Sequence, residues 1–180
     1  MQFSDQLKIP KDRIAVLLGE KGQTKKKIEN STKTKLNINS IEGDVIIYSD
    51  DGFKILMAKN IITAIARGFN PEIAFILLDE ENKIDIIYIK ELLRNKNKSS
   101  LVRVKSRLIG TEGKARKLIE KLSNTNISIY GKTVSIIGNH ENVDIAERAV
   151  KNLIQGSKHG SVYSFIEKER KSKITNVNQF

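Results

Sequence analysis

Two stretches of the chain carry the same order of apolar and polar positions. Residues 13–38 read RIAVLLGEKGQTKKKIENSTKTKLNI, and residues 104–129 read VKSRLIGTEGKARKLIEKLSNTNISI. In each, apolar residues at helical spacing lead into a pair of glycines. A short basic amphipathic stretch follows, then apolar and polar residues alternate with the period of a half-buried strand. Gly110 follows Gly19 by 91 residues, and Gly113 follows Gly22 by the same interval.

The pattern predicts a strand over about Gln6–Ile9 and a helix over Lys11–Leu18, with Pro10 at its start and Ile14, Leu17 and Leu18 inward. The turn Gly19-Glu20-Lys21-Gly22 breaks that helix. A second helix, about Gln23–Ser31, turns Ile28 inward and keeps Lys25, Lys26 and Lys27 on its flank. Leu36 and Ile38 alternate as a strand, and Val45–Tyr48 returns beside it. Asp50-Asp51-Gly52 has helix-cap chemistry for a longer helix, Phe53–Arg67, that packs Ile55, Leu56, Ala58, Ile61, Ile62 and Ile65 and stops at Gly68.

The same order is predicted again: a strand at Leu101–Val104, a short helix at Lys105–Ile109, the turn Gly110-Thr111-Glu112-Gly113 and a helix at Lys114–Leu122. Strands follow around Ile127/Ile129 and Val134/Ile136, then a long helix at Asn142–Gln155 ended by Gly156. Between the repeats, Asn70-Pro71-Glu72 reads as a helix start and Asp79–Asn82 as an acidic turn. Ile84–Ile89 is an apolar run, strand or helix, that must be buried. Ser161–Lys171 predicts a closing helix with Val162, Phe165 and Ile166 inward. The domain limits follow: 1–78, a linker or packing segment 79–98, 99–172, and a flexible tail 173–180.

A G-x-x-G turn between two helices lets backbone lie close to a sugar-phosphate chain, because no side chain blocks the approach. Charge strengthens that reading. The net charge is +11, and residues 94–180 alone hold 18 Lys/Arg against 7 Asp/Glu. The window Arg94–Lys117 has nine basic residues and one acid, Glu112. Basic surface gathered on one module is the footprint of a polyanion site.

Composition removes several other classes. There is no cysteine, hence no disulfide, thiolate zinc site or cysteine nucleophile. The amino-terminal residues have neither the basic nor the apolar region of a secretory signal, and no apolar run approaches the ~18 residues of a membrane span. The expected location is cytoplasmic. His140 and His159 are the only histidines and lack metal-ligand spacing; His140 is expected to cap or precede the last long helix and His159 to make a structural hydrogen bond. G-x-x-x-x-G-K-[ST] is absent, so no NTP-cradling loop is expected. The chain is read as a non-enzyme without metal or cofactor.

Strand, helix, G-x-x-G, helix, strand, strand, helix resembles the K-homology (KH) domain, type I, in both halves. The expected fold class is therefore α+β: two tandem KH domains, each a three-stranded antiparallel sheet packed on three helices, with a carboxy-terminal helix. The pair is similar to the archaeal-type double-KH proteins of small-subunit ribosome maturation, relatives of the eukaryotic partner-of-Nob protein. The residues that carry this are Arg103–Gly110, Ile127–Val134 and Ile154–Tyr163.

The resemblance implies binding of single-stranded rRNA near the 3′ end of the small-subunit RNA. It also implies partnership with the endonuclease that cuts there and with the alpha subunit of translation initiation factor two. The expected RNA contacts are Gly110, Thr111, Glu112, Gly113, Lys114, Arg116, Lys117, Arg103, Lys105 and Arg107, with Gly19, Glu20, Lys21, Gly22, Lys25 and Lys26 as a weaker first site. Leu108, Ile109, Ile127 and Ile129 form the expected apolar floor. Glu20 and Glu112 depart from the family pattern by placing an acid inside each turn. The alternative is a KH-fold protein-interaction scaffold with little RNA affinity.

Overall fold

A computed structural model of the chain describes residues 3–93 and 97–177. Arg94 and Lys96 of the basic window, and the last three residues of the expected tail, lie outside the described residues. The chain divides into two compact units, Met1–Asn82 and Lys83–Phe180.

The first unit runs β1 (Phe3–Lys8), α1 (Lys11–Leu18), a single 3-10 turn, α2 (Gln23–Thr32), β2 (Lys35–Asn39), β3 (Asp44–Ser49) and α3 (Gly52–Ala66). A short α4 (Pro71–Ala74) and a 3-10 turn close it. The sheet order is β1-β3-β2, antiparallel, with Leu7 opposite Val45 and Leu36 opposite Ile47. β3 takes the centre because its alternation is complete: Val45, Ile47 and Ser49 are buried while Asp44, Ile46 and Tyr48 stay half-exposed. Ile14, Leu17, Ile28, Ile61 and Ile65 cover that inner face from the helices. Asp51 caps α3, its carboxylate accepting from Phe53 N at 2.8 Å. Leu56 was expected inward and is 52% exposed, because it sits one residue, about 100°, off the buried row of Ile55, Ala58 and Ile62.

The second unit opens differently from expectation. Its first strand is β4 (Asn82–Tyr88), inside the segment expected to be a linker, and it lies beside β6 in a sheet of order β4-β6-β5. The expected strand at Leu101–Val104 lies instead within α6 (Lys98–Ile109). The physical reason is periodicity over a longer window: Ser100, Val104 and Leu108 are buried at helical spacing, and Asn97 caps the helix by accepting from Ser100 N at 2.8 Å. A mostly apolar run of four residues cannot outweigh a capped twelve-residue helix. A short α5 (Ile89–Leu92) leaves β4, tied by Ile89 N to Lys132 O at 3.1 Å.

Then come α7 (Lys114–Ser123), β5 (Asn126–Tyr130), β6 (Thr133–Asn139), α8 (His140–Ile154) and α9 (His159–Val177). β5 and β6 are antiparallel, with Ile127 opposite Ile136 and Ile129 opposite Val134. Asn139 caps α8, its side chain accepting from Glu141 N, so His140 neither caps nor precedes the helix as expected but is its first residue. α9 is longer than the closing helix expected and reaches into the expected tail; its Val162 and Ile166 enter the core of this unit beside Leu108, Ile119 and Leu153. Burying a side chain of that size contributes about 1.5–3 kcal/mol.

The joint between each G-x-x-G helix and its following strand is built twice from the same parts. Thr32 Oγ1 donates to Ile28 O at 2.8 Å and meets Thr34 Oγ1; Ser123 Oγ donates to Ile119 O at 2.7 Å and meets Thr125 Oγ1. Between them a left-handed residue, Lys33 (φ 53°) or Asn124 (φ 53°), reverses the chain.

Candidate nucleic-acid interface

The second G-x-x-G turn hands α6 over to α7. Gly110 has φ +72°, and a Cβ placed there would lie 2.7 Å from Ala115 Cβ and 2.8 Å from Ala115 N. Only glycine fits. Glu112 is left-handed at φ 54° although it carries a side chain. Gly113, at φ +75°, opens outward: a Cβ there would meet nothing closer than Lys117 Cε at 3.8 Å. The first glycine therefore serves the fold, and the second keeps the outer surface of the turn bare. No side chain caps the start of α7; Lys114 N donates to Thr111 O within the turn, and the positive end of the helix dipole lies beside Gly113.

The opposing wall is the outer edge of β5. Glu120 Oε1 accepts from Ile127 N at 2.7 Å. Arg116 Nη1 donates to Ile127 O at 3.1 Å and sits 3.5 Å from Glu120 Oε1. One residue is thus held at both its backbone groups by an i,i+4 Arg–Glu pair on α7. Strand alternation turns the N–H and C=O of Ile129 to the same edge as those of Ile127. Lys105 Nζ reaches from α6 to Gly131 O in the β5–β6 turn, 3.1 Å away. Lys114 stands 3.7 Å from Glu112, with both side chains more than three-quarters exposed, a pairing that water and salt screen heavily. Of the expected apolar floor, Leu108 and Ile127 are buried in the core, Ile129 is half-buried and Ile109 is exposed at 37%.

The basic residues expected around one groove are divided between two faces of α6. Arg103 and Arg107 each lie two residues, about 200°, from Lys105. Arg107 Nη2 donates to Ser157 O at 2.7 Å, beyond the end of α8. His159 Nε2 donates to the Arg107 carbonyl at 2.9 Å, which places its proton on Nε2. That is the structural hydrogen bond expected of His159. Lys105, Lys114, Arg116 and Lys117 stay with the turn and β5; Arg103 and Arg107 do not.

The first unit repeats the scaffold. A Cβ on Gly19 (φ +70°) would lie 2.3 Å from Thr24 Oγ1 and 2.8 Å from Thr24 N, whereas Gly22 (φ +77°) has nothing within 4 Å. Lys21 is left-handed at φ 49°, as Glu112 is. Glu29 Oε1 accepts from Leu36 N at 2.8 Å, as Glu120 does from Ile127. Glu20 and Lys21 occupy the turn, and Lys25 and Lys26 stand where Arg116 and Lys117 stand in the second unit. Lys27 leaves this set: its ammonium lies 4.3 Å from the centre of the Phe75 ring.

Residues 4–64 match the KH domain family, and residues 83–171 match the eukaryotic-type KH domain, type I. A KH domain-containing protein of Methanocaldococcus jannaschii is 46% identical over 168 residues, covering 91% of this chain and 73% of that protein. The chain belongs to the double-KH family of PNO1 and Dim2. Within the family, the pre-rRNA-processing protein PNO1 of Chaetomium thermophilum is 29% identical over 122 residues, 65% of this chain. The chain spans about half that relative's length, 46%. The fold is shared with aDim2p in a crystal structure of the a/eIF2alpha–aDim2p–rRNA complex from Pyrococcus horikoshii OT3, at TM-score 0.88 and 46% identity over 95% of this chain and 96% of that one.

Among the described residues no helix is long and apolar enough to cross a membrane, and no group of three His, Cys, Asp or Glu could hold a metal ion. Sequence reasoning found the turns and missed the Arg116–Glu120 clamp on Ile127. Its i,i+4 spacing was legible; its target was not.

Proposed function

We propose that this protein binds single-stranded RNA of the small ribosomal subunit, near the 3′ end, during pre-rRNA processing, with the groove of the second unit as the site. The observation that carries the reading is the turn bare at Gly113, set with Lys105, Lys114, Arg116 and Lys117 opposite the outer edge of β5. A phosphate meets the positive end of α7 and the lysines of the turn. Thr111 and Glu112 present backbone to the chain. The N–H and C=O of Ile129 offer one donor and one acceptor to a base edge, and exposed Ile109 gives the base or sugar an apolar seat.

A relative named for pre-rRNA processing and a structural neighbour solved with rRNA support the choice of RNA. That same complex contains a/eIF2alpha, which supports the alpha subunit of translation initiation factor two as a partner here. The endonuclease that trims the RNA end is the second protein partner. The protein acts by binding, without catalysis, in the cytoplasm.

The first unit binds more weakly through Gly19–Gly22, Lys21, Lys25 and Lys26. The test is a filter-binding titration with a single-stranded oligonucleotide of the rRNA 3′ end. Thr111→Asp with Glu112→Asp costs more affinity than Glu20→Asp with Lys21→Asp, although the second pair removes more positive charge. Equal losses, or an affinity that does not fall as salt rises, refute the assignment.

A further inference from the structure

The back of α6 carries a second concave surface that the RNA reading leaves unused. It is a cleft of about 930 Å³. Half-buried Leu92 and Leu93 with buried Val104 and Ile154 form its apolar part, and Ser100, Gln155 and Ser157 line it beside them. Arg103 and Arg107, one helical turn apart, stand on one wall; among the described residues no carboxylate and no aromatic ring lines it. Arg107 spends one N–H on Ser157 O. Arg103 is exposed and makes no hydrogen bond or ion pair among the described residues.

The duplication supplies an internal reference. Asp12 and Val16 precede Gly19 by the same intervals at which Arg103 and Arg107 precede Gly110. The first unit folds its turn in the same way with an acid and a valine there, so the arginine pair is not a requirement of the turn. In that unit Arg13 is consumed structurally, donating to Ile65 O at 2.8 Å and Phe69 O at 2.7 Å.

We propose that this cleft is a protein-docking site that takes an extended segment in which Asp or Glu alternates with Leu-type residues. Guanidinium groups pair with carboxylates in bidentate geometry and lose little in being desolvated, so arginine suits interfaces. The apolar side chains of the segment cover the Leu92–Leu93 floor while its carboxylates meet Arg103 and the remaining N–H groups of Arg107. A nucleic acid fits the same surface less well. Phosphates would engage the arginines, but the bases find no ring to stack on and the floor stays wet. Because the cleft and the G-x-x-G groove lie on opposite sides of α6, both are open to occupation at once.

The probe is a fluorescein-labelled twelve-residue peptide of alternating Glu and Leu, titrated into the full chain by fluorescence anisotropy. Methyl spectra of Leu92 and Leu93 are recorded in parallel. The peptide is expected to move both leucines, and Arg103→Glu is expected to weaken it about tenfold through loss of one charge-assisted pair and addition of a repulsion. Lys105→Glu, on the other side of α6, leaves peptide affinity within about twofold. Unmoved leucine methyls at saturation overturn the proposal, as do equal binding of a Glu-Ser peptide and an unchanged affinity in Arg103→Glu. A uridine decamer that shifts Leu92 and Leu93 also overturns it, by making the cleft an RNA surface. None of these results depends on where RNA binds in the groove.

Discussion

Gly110 and Gly113 look equivalent in the sequence, and the structure predicts that replacing each by alanine has different consequences. At Gly110 the backbone has φ 72° and ψ 175°, a region closed to residues with a side chain. Forcing alanine there costs about 1–3 kcal/mol in backbone strain. The new methyl also falls 2.7–2.8 Å from Ala115 Cβ and N, and the nitrogen belongs to the first turn of a packed helix that cannot step aside cheaply. Overpacking of that kind adds about 1–3 kcal/mol. Gly110→Ala is therefore expected to destabilise the second unit by about 2–6 kcal/mol, a large share of the ~5–15 kcal/mol a domain has.

At Gly113 the conformation is ordinary left-handed, φ 75° and ψ 13°, and the space is open. Alanine there costs only about 1–2 kcal/mol. Its methyl projects into the path proposed for the RNA backbone, so affinity falls while the fold survives. Urea unfolding followed by circular dichroism measures the first effect, and RNA anisotropy under folding conditions measures the second. If the two variants unfold within about 1 kcal/mol of each other, the division into a glycine for the fold and a glycine for the ligand is refuted.

Three further outcomes are expected. Glu120→Ala removes the acceptor from Ile127 N and the partner of Arg116, and should destabilise the second unit by about 1–3 kcal/mol in urea melts; a change below about 0.5 kcal/mol would mean the β5 edge needs no clamp. Lys33→Asn places in the first unit the left-handed residue that the second already uses, Asn124, and should raise stability by about 0.5 kcal/mol; destabilisation would show that Lys33 has contacts outweighing its strain. The Lys59 ammonium, 2.7 Å away, holds the Asp5 carboxyl below its ordinary value of 3.8. That pairing stabilises above pH ~3.8 and is lost as pH falls through the lowered folded value. Because both side chains are more than a third exposed, Asp5→Asn should cost only about 0.5 kcal/mol at pH 7, and the difference from the parent protein should shrink as pH falls below 3.8; a gap that widens in acid would contradict the pairing.

What the sequence determined by itself is local. The hydrophobic period, the caps and the repeated glycines are properties of neighbouring residues, so the duplicated strand–helix–turn–helix–strand order, the positive-φ turns and the basic character of the second half could be read directly. Where two local signals competed, length decided. Leu101–Val104 is a β-branched-rich run of only four residues, yet the capped helix that includes it buries Ser100, Val104 and Leu108, and the opening strand lies at Asn82–Tyr88. Only the tertiary structure could sort the charges. Arg103, Lys105 and Arg107 are neighbours in the chain, yet Lys105 points away from the other two, because a helix turns 100° at each residue and its surroundings assign each direction a different partner: Gly131 for Lys105, Ser157 for Arg107. The clamp of Arg116 and Glu120 on Ile127 was equally out of reach, since it depends on which strand the fold lays beside α7.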